Sequence, residues 1–303
     1  MTLILTAGDF APLRDDPAYM REALAAVEAA IVAHHHGSVR QGRLVDRVPG
    51  EFEGLRVSLL AGEGLMSGMR IFGNPPLTRA FLLFDGATRS MLALMDYGVL
   101  NSMRVGATAG VAARYLAPAG VASVGLLGSG WQAPTQLSAL RAALPGLERI
   151  RVFSPTREHR EDFAKRMAST LEVRVDAMDS ADDAIRDADV VDLCAPGHFD
   201  VRKPLFESGW LKPGALVISM AANQYPSELA ETAAQVVDIP ETEATIPLGA
   251  VIAGEVNPRL SADDRVIYRL EGGTVQDLFV ATWGYNWATQ RGRGLPFDLA
   301  SAR

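Results

Sequence analysis

Three arginines in the first part of the chain, Arg47, Arg70 and Arg104, have the type and placement to bind a small carboxylate. A guanidinium meets a carboxylate in a two-bond fork, and both groups are ionised near neutral pH. Arg104 lies in NSMRVGATAG at the head of an expected helix, where a cation opposes the helix dipole unless an anion sits beside it. For any one of the three alone, a solvated surface arginine is the competing reading. Convergence of all three on one pocket would make a carboxylate site.

A second chemistry is written in GLLGSGWQA, residues 125–133. Gly128, Gly130 and Ala133 give G-x-G-x-x-A after an apolar strand and at the mouth of a helix, with Ser129, Trp131 and Gln132 between them. The first glycine makes the turn, the second admits a pyrophosphate, and the small third residue lets helix and strand pack closely. The helix N-terminus adds free N–H groups and a positive dipole end. A plain structural corner is the alternative. At the end of the next strand, where an acidic residue would accept from a ribose 2′-OH, stands Ser154-Pro-Thr-Arg157. Ser154, Thr156 and Arg157 suit a 2′-phosphate, which favours NADP(H) over NAD(H), with NAD(H) still possible. The other reading is that Thr156 caps a helix and Arg157 is solvated. Ala195, at the end of a later strand, completes the expected cofactor contacts.

His198, in CAPGHFD near the carboxyl ends of the strands, is a candidate proton donor, and Tyr225 is a weaker one. Both also read as ordinary loop residues. Cys194 reads as a small buried filler. His34, His35 and His36 point in different directions on a helix and suit its C-terminal dipole, so no metal site is expected. Thr274-Val-Gln-Asp277 fits a capping box, with Asp277 reaching back to the N-cap. No G-x-S-x-G elbow, H-E-x-x-H or P-loop is present.

These residues need a scaffold, and 303 residues allow two domains. Apolar residues make up 48% and charged ones 21%, a globular balance. A net charge of −7 without a basic stripe argues against nucleic acid. Apolar runs fall short of the roughly 20 residues of a membrane span. MTLILTAGDF lacks a basic n-region, so a cytoplasmic address is expected, in accord with the single cysteine. Asp16-Pro17 opens a helix with Met20, Leu24, Val27 and Ile31 at helical spacing, ending near Gly37. RAFLLF and SMLALM flank DGATR as a hairpin. From Asn101 to Leu116 runs a helix whose small residues invite close packing. Strands at VASVGLL, RIRVF, EVRV, DVVDLCA, ALVISMA and QVVDIP then alternate with helices, which predicts a parallel sheet covered on both faces. Thr274 to Gln290 reads as a final helix.

The chain resembles the ornithine cyclodeaminase/μ-crystallin family, on LFDGATRSMLALMD, LNSMRVGATAGVAARYLA, GLLGSGWQA with Gln136, WLKPGALVISMAAN and GGTVQDL. The resemblance implies an α/β fold with a Rossmann-type parallel-sheet domain, residues 117–271, inserted in a mixed α/β substrate-binding and dimerisation domain, residues 1–116 plus 272–303. It implies a homodimer using NAD(P), with chemistry centred on an imine and an amino acid. Arg47 and Arg104 align with carboxylate-binding arginines, Arg104 also near the cofactor phosphates. Two positions depart from the family: Arg70 stands where lysine is common, and Asn223 stands where the cyclodeaminases place an aspartate.

Both departures remove an acid–base group, because arginine stays protonated and asparagine does not titrate. Reduction of a preformed imine survives these changes better than cyclodeamination. The expected activity is therefore NAD(P)H-dependent reduction of a cyclic or N-alkylated imine of a keto acid, with Arg70, Asn223 and His198 nearest the chemistry. A cyclodeaminase or amino-acid dehydrogenase is the alternative within enzymes, and a non-catalytic NADP(H)- and ligand-binding protein is the alternative outside them.

Overall fold

The computed structural model describes residues 2–45, 55–62, 66–73, 79–195, 204–220, 224–238, 245–270 and 272–298. The chain forms two compact units, Met1–Arg104 with Thr274–Arg303, and Val105–Gly273.

The first unit carries β1 (Thr2–Leu5), α1 (Ala7–Asp15), α2 (Ala18–His35), β2 (Val39–Val45), β3 (Leu55–Gly62), β4 (Ser67–Gly73), β5 (Ala80–Phe84), β6 (Met91–Asp96) and the start of α3 (Gly98–Leu116). Its remaining elements are α9 (Val275–Gln290) and β15 (Leu295–Phe297). The strands form one sheet in the order β15-β1-β6-β5-β4-β3-β2. Helix α2 starts where Asp16 Oδ1 accepts the Ala18 N–H at 2.8 Å, and buries Met20, Leu24, Val27 and Ile31 as their spacing predicts. It packs on α9, with the Tyr19 ring edge-on to Trp287 at 5.7 Å and Trp283 Nε1 donating to Glu22 at 2.8 Å. The β5–β6 hairpin closes where Asp85 Oδ1 accepts the amides of Ala87 and Thr88 at 3.0 and 2.7 Å.

Helix α1 forms despite Gly8 and Pro12, and Asp9 supports its start by accepting the Thr6 N–H at 2.8 Å. Strands β1, β2 and β15 lie in segments too short or too polar to signal a strand alone, and pairing defines them. Helix α3 begins at Gly98 rather than Asn101, so Arg104 sits in its second turn and the dipole argument for an anion there weakens.

The second unit holds β7 (Ser123–Leu127), α4 (Ala133–Ala143), β8 (Arg149–Phe153), α5 (Arg157–Leu171), β9 (Arg174–Ala177), α6 (Ala181–Ile185) and β10 (Val190–Leu193). It continues with β11 (Leu216–Ser219), α7 (Ser227–Thr232), β12 (Ala234–Val237), β13 (Ile246–Pro247), α8 (Leu248–Ile252) and β14 (Val266–Arg269). Its sheet runs β13-β12-β14-β11-β10-β7-β8-β9, every pairing parallel, which is the Rossmann-type α/β arrangement. Strand β14, VIYR, went unread in the sequence, yet it lies between β11 and β12 with Val266, Ile267 and Tyr268 fully buried. The small residues of α3 find their reason at Gly106, where a Cβ would fall 2.4 Å from the Thr135 carbonyl oxygen of α4. Among the described residues no helix is long and apolar enough to cross a membrane.

Candidate functional site

In the first unit, β4, α3 and α9 bring together side chains far apart in sequence. Arg70 is 4% exposed; its Nη1 donates to Asp277 Oδ2 at 2.9 Å and its Nη2 to Asn101 Oδ1 at 3.0 Å. Arg104 donates from Nε to Asp277 Oδ1 at 2.9 Å and from Nη2 to Asn101 Oδ1 at 3.2 Å. Tyr97 Oη lies 3.0 Å from Asp277 Oδ1 and 3.1 Å from its carbonyl oxygen. Asp277 is fully buried.

Strand alternation puts Arg70 on the buried face of β4 beside Gly68, while α9 enters that face with Asp277 in its first turn. Burial draws the Arg70 guanidinium below its ordinary value, against the pull of Asp277, and lifts the Tyr97 phenol well above its own. The Tyr97 hydroxyl therefore stays neutral, and the guanidinium, which does not lose its proton in proteins, stays a cation. Arg70 Nε is buried without a hydrogen-bond partner. Leaving such a donor dry and unpaired costs about 1–3 kcal/mol, a cost an incoming anion would relieve.

Sequence reasoning missed Asp277 and Asn101 as parts of this cluster, because it gave Asp277 to a capping box. That reading is corrected: Thr274 Oγ1 and its N–H donate instead to Gln41 Oε1, at 2.6 and 3.0 Å, and the Asp277 carboxylate goes to the arginines. The one signal was an acid in the first turn of an otherwise uncharged helix.

In the second unit the glycine turn has the form a dinucleotide needs. Gly128 has φ +108°, and a Cβ there would lie 2.6 Å from the backbone of Cys194 and Ala195, so only glycine fits. A Cβ at Gly130 would meet nothing within 4 Å, which leaves open space at the turn where a phosphate would approach. Trp131 is exposed there, and α4 opens at Ala133 with proline in its first turn. Ser129 Oγ and Ser154 Oγ are 2.8 Å apart and join the turn to the end of β8. The residues Gly128 to Ala133 thus fit a pyrophosphate.

Thr156 is the N-cap position of α5 without a side-chain capping bond, and Arg157 is solvated, paired to Glu161 at 2.6 Å. The buried guanidinium of this loop belongs to Arg160, which donates to the Ser154 carbonyl at 3.2 Å and to Asp179 at 2.7 Å. Tyr225 is packed in the apolar layer with Phe206 and Leu229 rather than lying open to a substrate. Cys194 is buried, and burial followed by Asp192 pushes its thiol well up. His34 Nδ1 lies 3.2 Å from the Val39 carbonyl oxygen, and among the described residues no group of three or more metal-ligating side chains gathers. Arg47, His198 and Asn223 lie outside the described residues.

The chain is similar to several known proteins. An L-lysine cyclodeaminase of Streptomyces rapamycinicus is 36% identical over 148 residues, a match spanning 49% of this chain and 42% of that one. The ketimine reductase mu-crystallin of Mus musculus is 27% identical over 232 residues, 71% of each chain. Among solved structures, the Thermococcus litoralis Δ1-pyrroline-2-carboxylate reductase in complex with NADH and L-proline superposes with a TM-score of 0.84, 23% identity, and 98% and 100% of the two chains covered. An archaeal alanine dehydrogenase dimer with bound NAD gives 0.83, 25% identity, and 98% and 99%. Residues 65–240, more than half of the chain, match the model of the ornithine cyclodeaminase/mu-crystallin family. By that match, the chain belongs to the ornithine cyclodeaminase/mu-crystallin family.

Proposed function

We propose that this protein reduces the imine of a small α-keto acid, cyclic or N-alkylated, to an amino acid. The observation that carries the reading is the buried Arg70–Arg104 pair with an unpaired Nε donor, a site built for a carboxylate. Arg47 joins them in this reading. A bound nicotinamide supplies the hydride that adds to the imine carbon. The chain holds the carboxylate, orients the C=N bond and delivers one proton to the nitrogen, from His198 or from water.

Arg70 cannot serve as an acid, since a guanidinium stays protonated even when burial lowers its pKa. That favours substrates that arrive as imines over substrates that must first be deaminated. The NADP(H) preference rests on Ser154, Thr156 and Arg157, with no acid at the end of β8; the solvated Arg157–Glu161 pair is weakly held and yields to a phosphate.

A homodimer is supported by the outer face of the first sheet. Successive pairings align Leu295, Ile4, Leu94, Leu82, Met69 and Leu59 in one apolar row, with Leu295, Leu94 and Leu59 65%, 39% and 56% exposed. An apolar stripe of this kind on the open face of a sheet calls for a partner, and a self-complementary patch gives a two-fold dimer.

The test is NADPH absorbance with purified protein and a panel of cyclic imino acids and keto acid–amine mixtures. Oxidation with an imine establishes the activity. Ammonia from ornithine or lysine with only catalytic NAD⁺ would install the cyclodeaminase in its place, and tight NADPH binding without turnover of any compound would leave a binding protein.

A further inference from the structure

Asn101 and Asp277 have no part in the chemistry just described, yet each touches both arginines. Asp277 gives Oδ2 to Arg70 and Oδ1 to Arg104, both at 2.9 Å. Asn101 Oδ1 receives Nη2 of Arg70 at 3.0 Å and Nη2 of Arg104 at 3.2 Å. The four side chains close a ring, Arg70–Asp277–Arg104–Asn101. Two guanidiniums repel, and each side chain loses much rotamer freedom when fixed. A ring in which both acceptors are shared fixes not only each arginine but the spacing between the two.

The ring is itself anchored, because Tyr97 Oη reaches the Asp277 carboxylate at 3.0 Å. Every member is at most 5% exposed, so water does not loosen it. Arg70 Nε stays buried and unpaired inside this cluster. An unpaired donor on a rigidly held cation points to a ligand.

We infer that Asn101 and Asp277 are positioning residues that fix Arg70 and Arg104 as a single two-guanidinium clamp for the carboxylate of an imino acid. The inference rests on the imine-reductase reading. Arginine at position 70 then has a purpose of its own: a lysine offers one ammonium point, whereas the Arg70 fork reaches Asp277 and Asn101 together and keeps a third donor.

The test uses the full chain with NADPH and the planar, non-reducible anion pyrrole-2-carboxylate, with titration calorimetry for the anion and fluorescence for NADPH. Asn101→Leu keeps the branched outline, with bulkier ends, and removes the shared acceptor. A displaced clamp should weaken pyrrole-2-carboxylate about tenfold or more, raise KM for a reducible imine while kcat changes by less than about threefold, and leave NADPH affinity unaltered. Asn101→Ser, which retains an acceptor oxygen, should recover part of the loss, and it carries the test with about a threefold weakening if the leucine variant does not fold. Unchanged anion affinity in a folded variant overturns the inference and leaves the reductase standing. A wild-type protein that binds NADPH but neither pyrrole-2-carboxylate nor any imine overturns both.

Discussion

Arg70 Nη1 lies 2.9 Å from Asp277 Oδ2 although 207 positions separate the two in the chain. The contact ties β4 to α9, and Arg104 completes it on the other carboxylate oxygen. Removal of Asp277 leaves two buried guanidiniums without their shared carboxylate. Asp277→Ala should lose about 3–5 kcal/mol of stability in urea unfolding. A loss below about 1 kcal/mol, the worth of a surface pair, would show that the cluster is not held as described.

A second buried acid sets a pH dependence. Asp192 on β10 is fully buried, neither carboxylate oxygen has a partner, and burial pushes it up to about 7. Between about pH 4 and pH 7 the folded chain keeps a proton that the unfolded chain has released, so this group makes stability fall as pH rises through that window. The rise from 3.8 to about 7 corresponds to roughly 4 kcal/mol. Asp192→Asn should erase that decline, so the stability gap between variant and wild type should widen in the variant's favour from pH 4 to pH 8. A gap independent of pH would refute the assignment.

The two glycines of the turn before α4 should fail differently. Gly128→Ala forces a side chain into the Cys194–Ala195 backbone at a positive φ, and should cost about 1–3 kcal/mol of stability along with NADPH binding. Gly130→Ala meets no protein atom, so the variant should melt like wild type and lose dinucleotide affinity alone. Full NADPH affinity in folded Gly130→Ala would contradict the phosphate cradle.

Cofactor choice is tested at Arg157. Arg157→Ala should weaken NADPH about tenfold and leave NADH within about twofold, since only the 2′-phosphate distinguishes the two. Equal effects on both would withdraw the NADP(H) preference.

The apolar row predicts oligomeric state. Leu94→Glu, at the middle of that row, should shift sedimentation from dimer to monomer, because a buried unpaired charge at each two-fold contact is costly. A wild-type monomer would exclude the dimer outright.

The sequence by itself determined whatever rests on local patterning. The 3.6-residue period marked α2, the glycine spacing marked the turn before α4, and regular alternation of strand and helix marked the parallel sheet. Those signals act over a few residues, so they survive without tertiary context. Tertiary structure alone decided which polar groups meet. Thr274-Val-Gln-Asp277 satisfied a capping rule in sequence, but Gln41 takes the cap and two arginines from other elements take the acid. Burying two guanidiniums requires a carboxylate, and that demand outweighs a helix cap worth about 1 kcal/mol. Likewise VIYR became a central strand only when β11 and β12 supplied partners on both sides, since a strand's hydrogen bonds lie wholly in its neighbours.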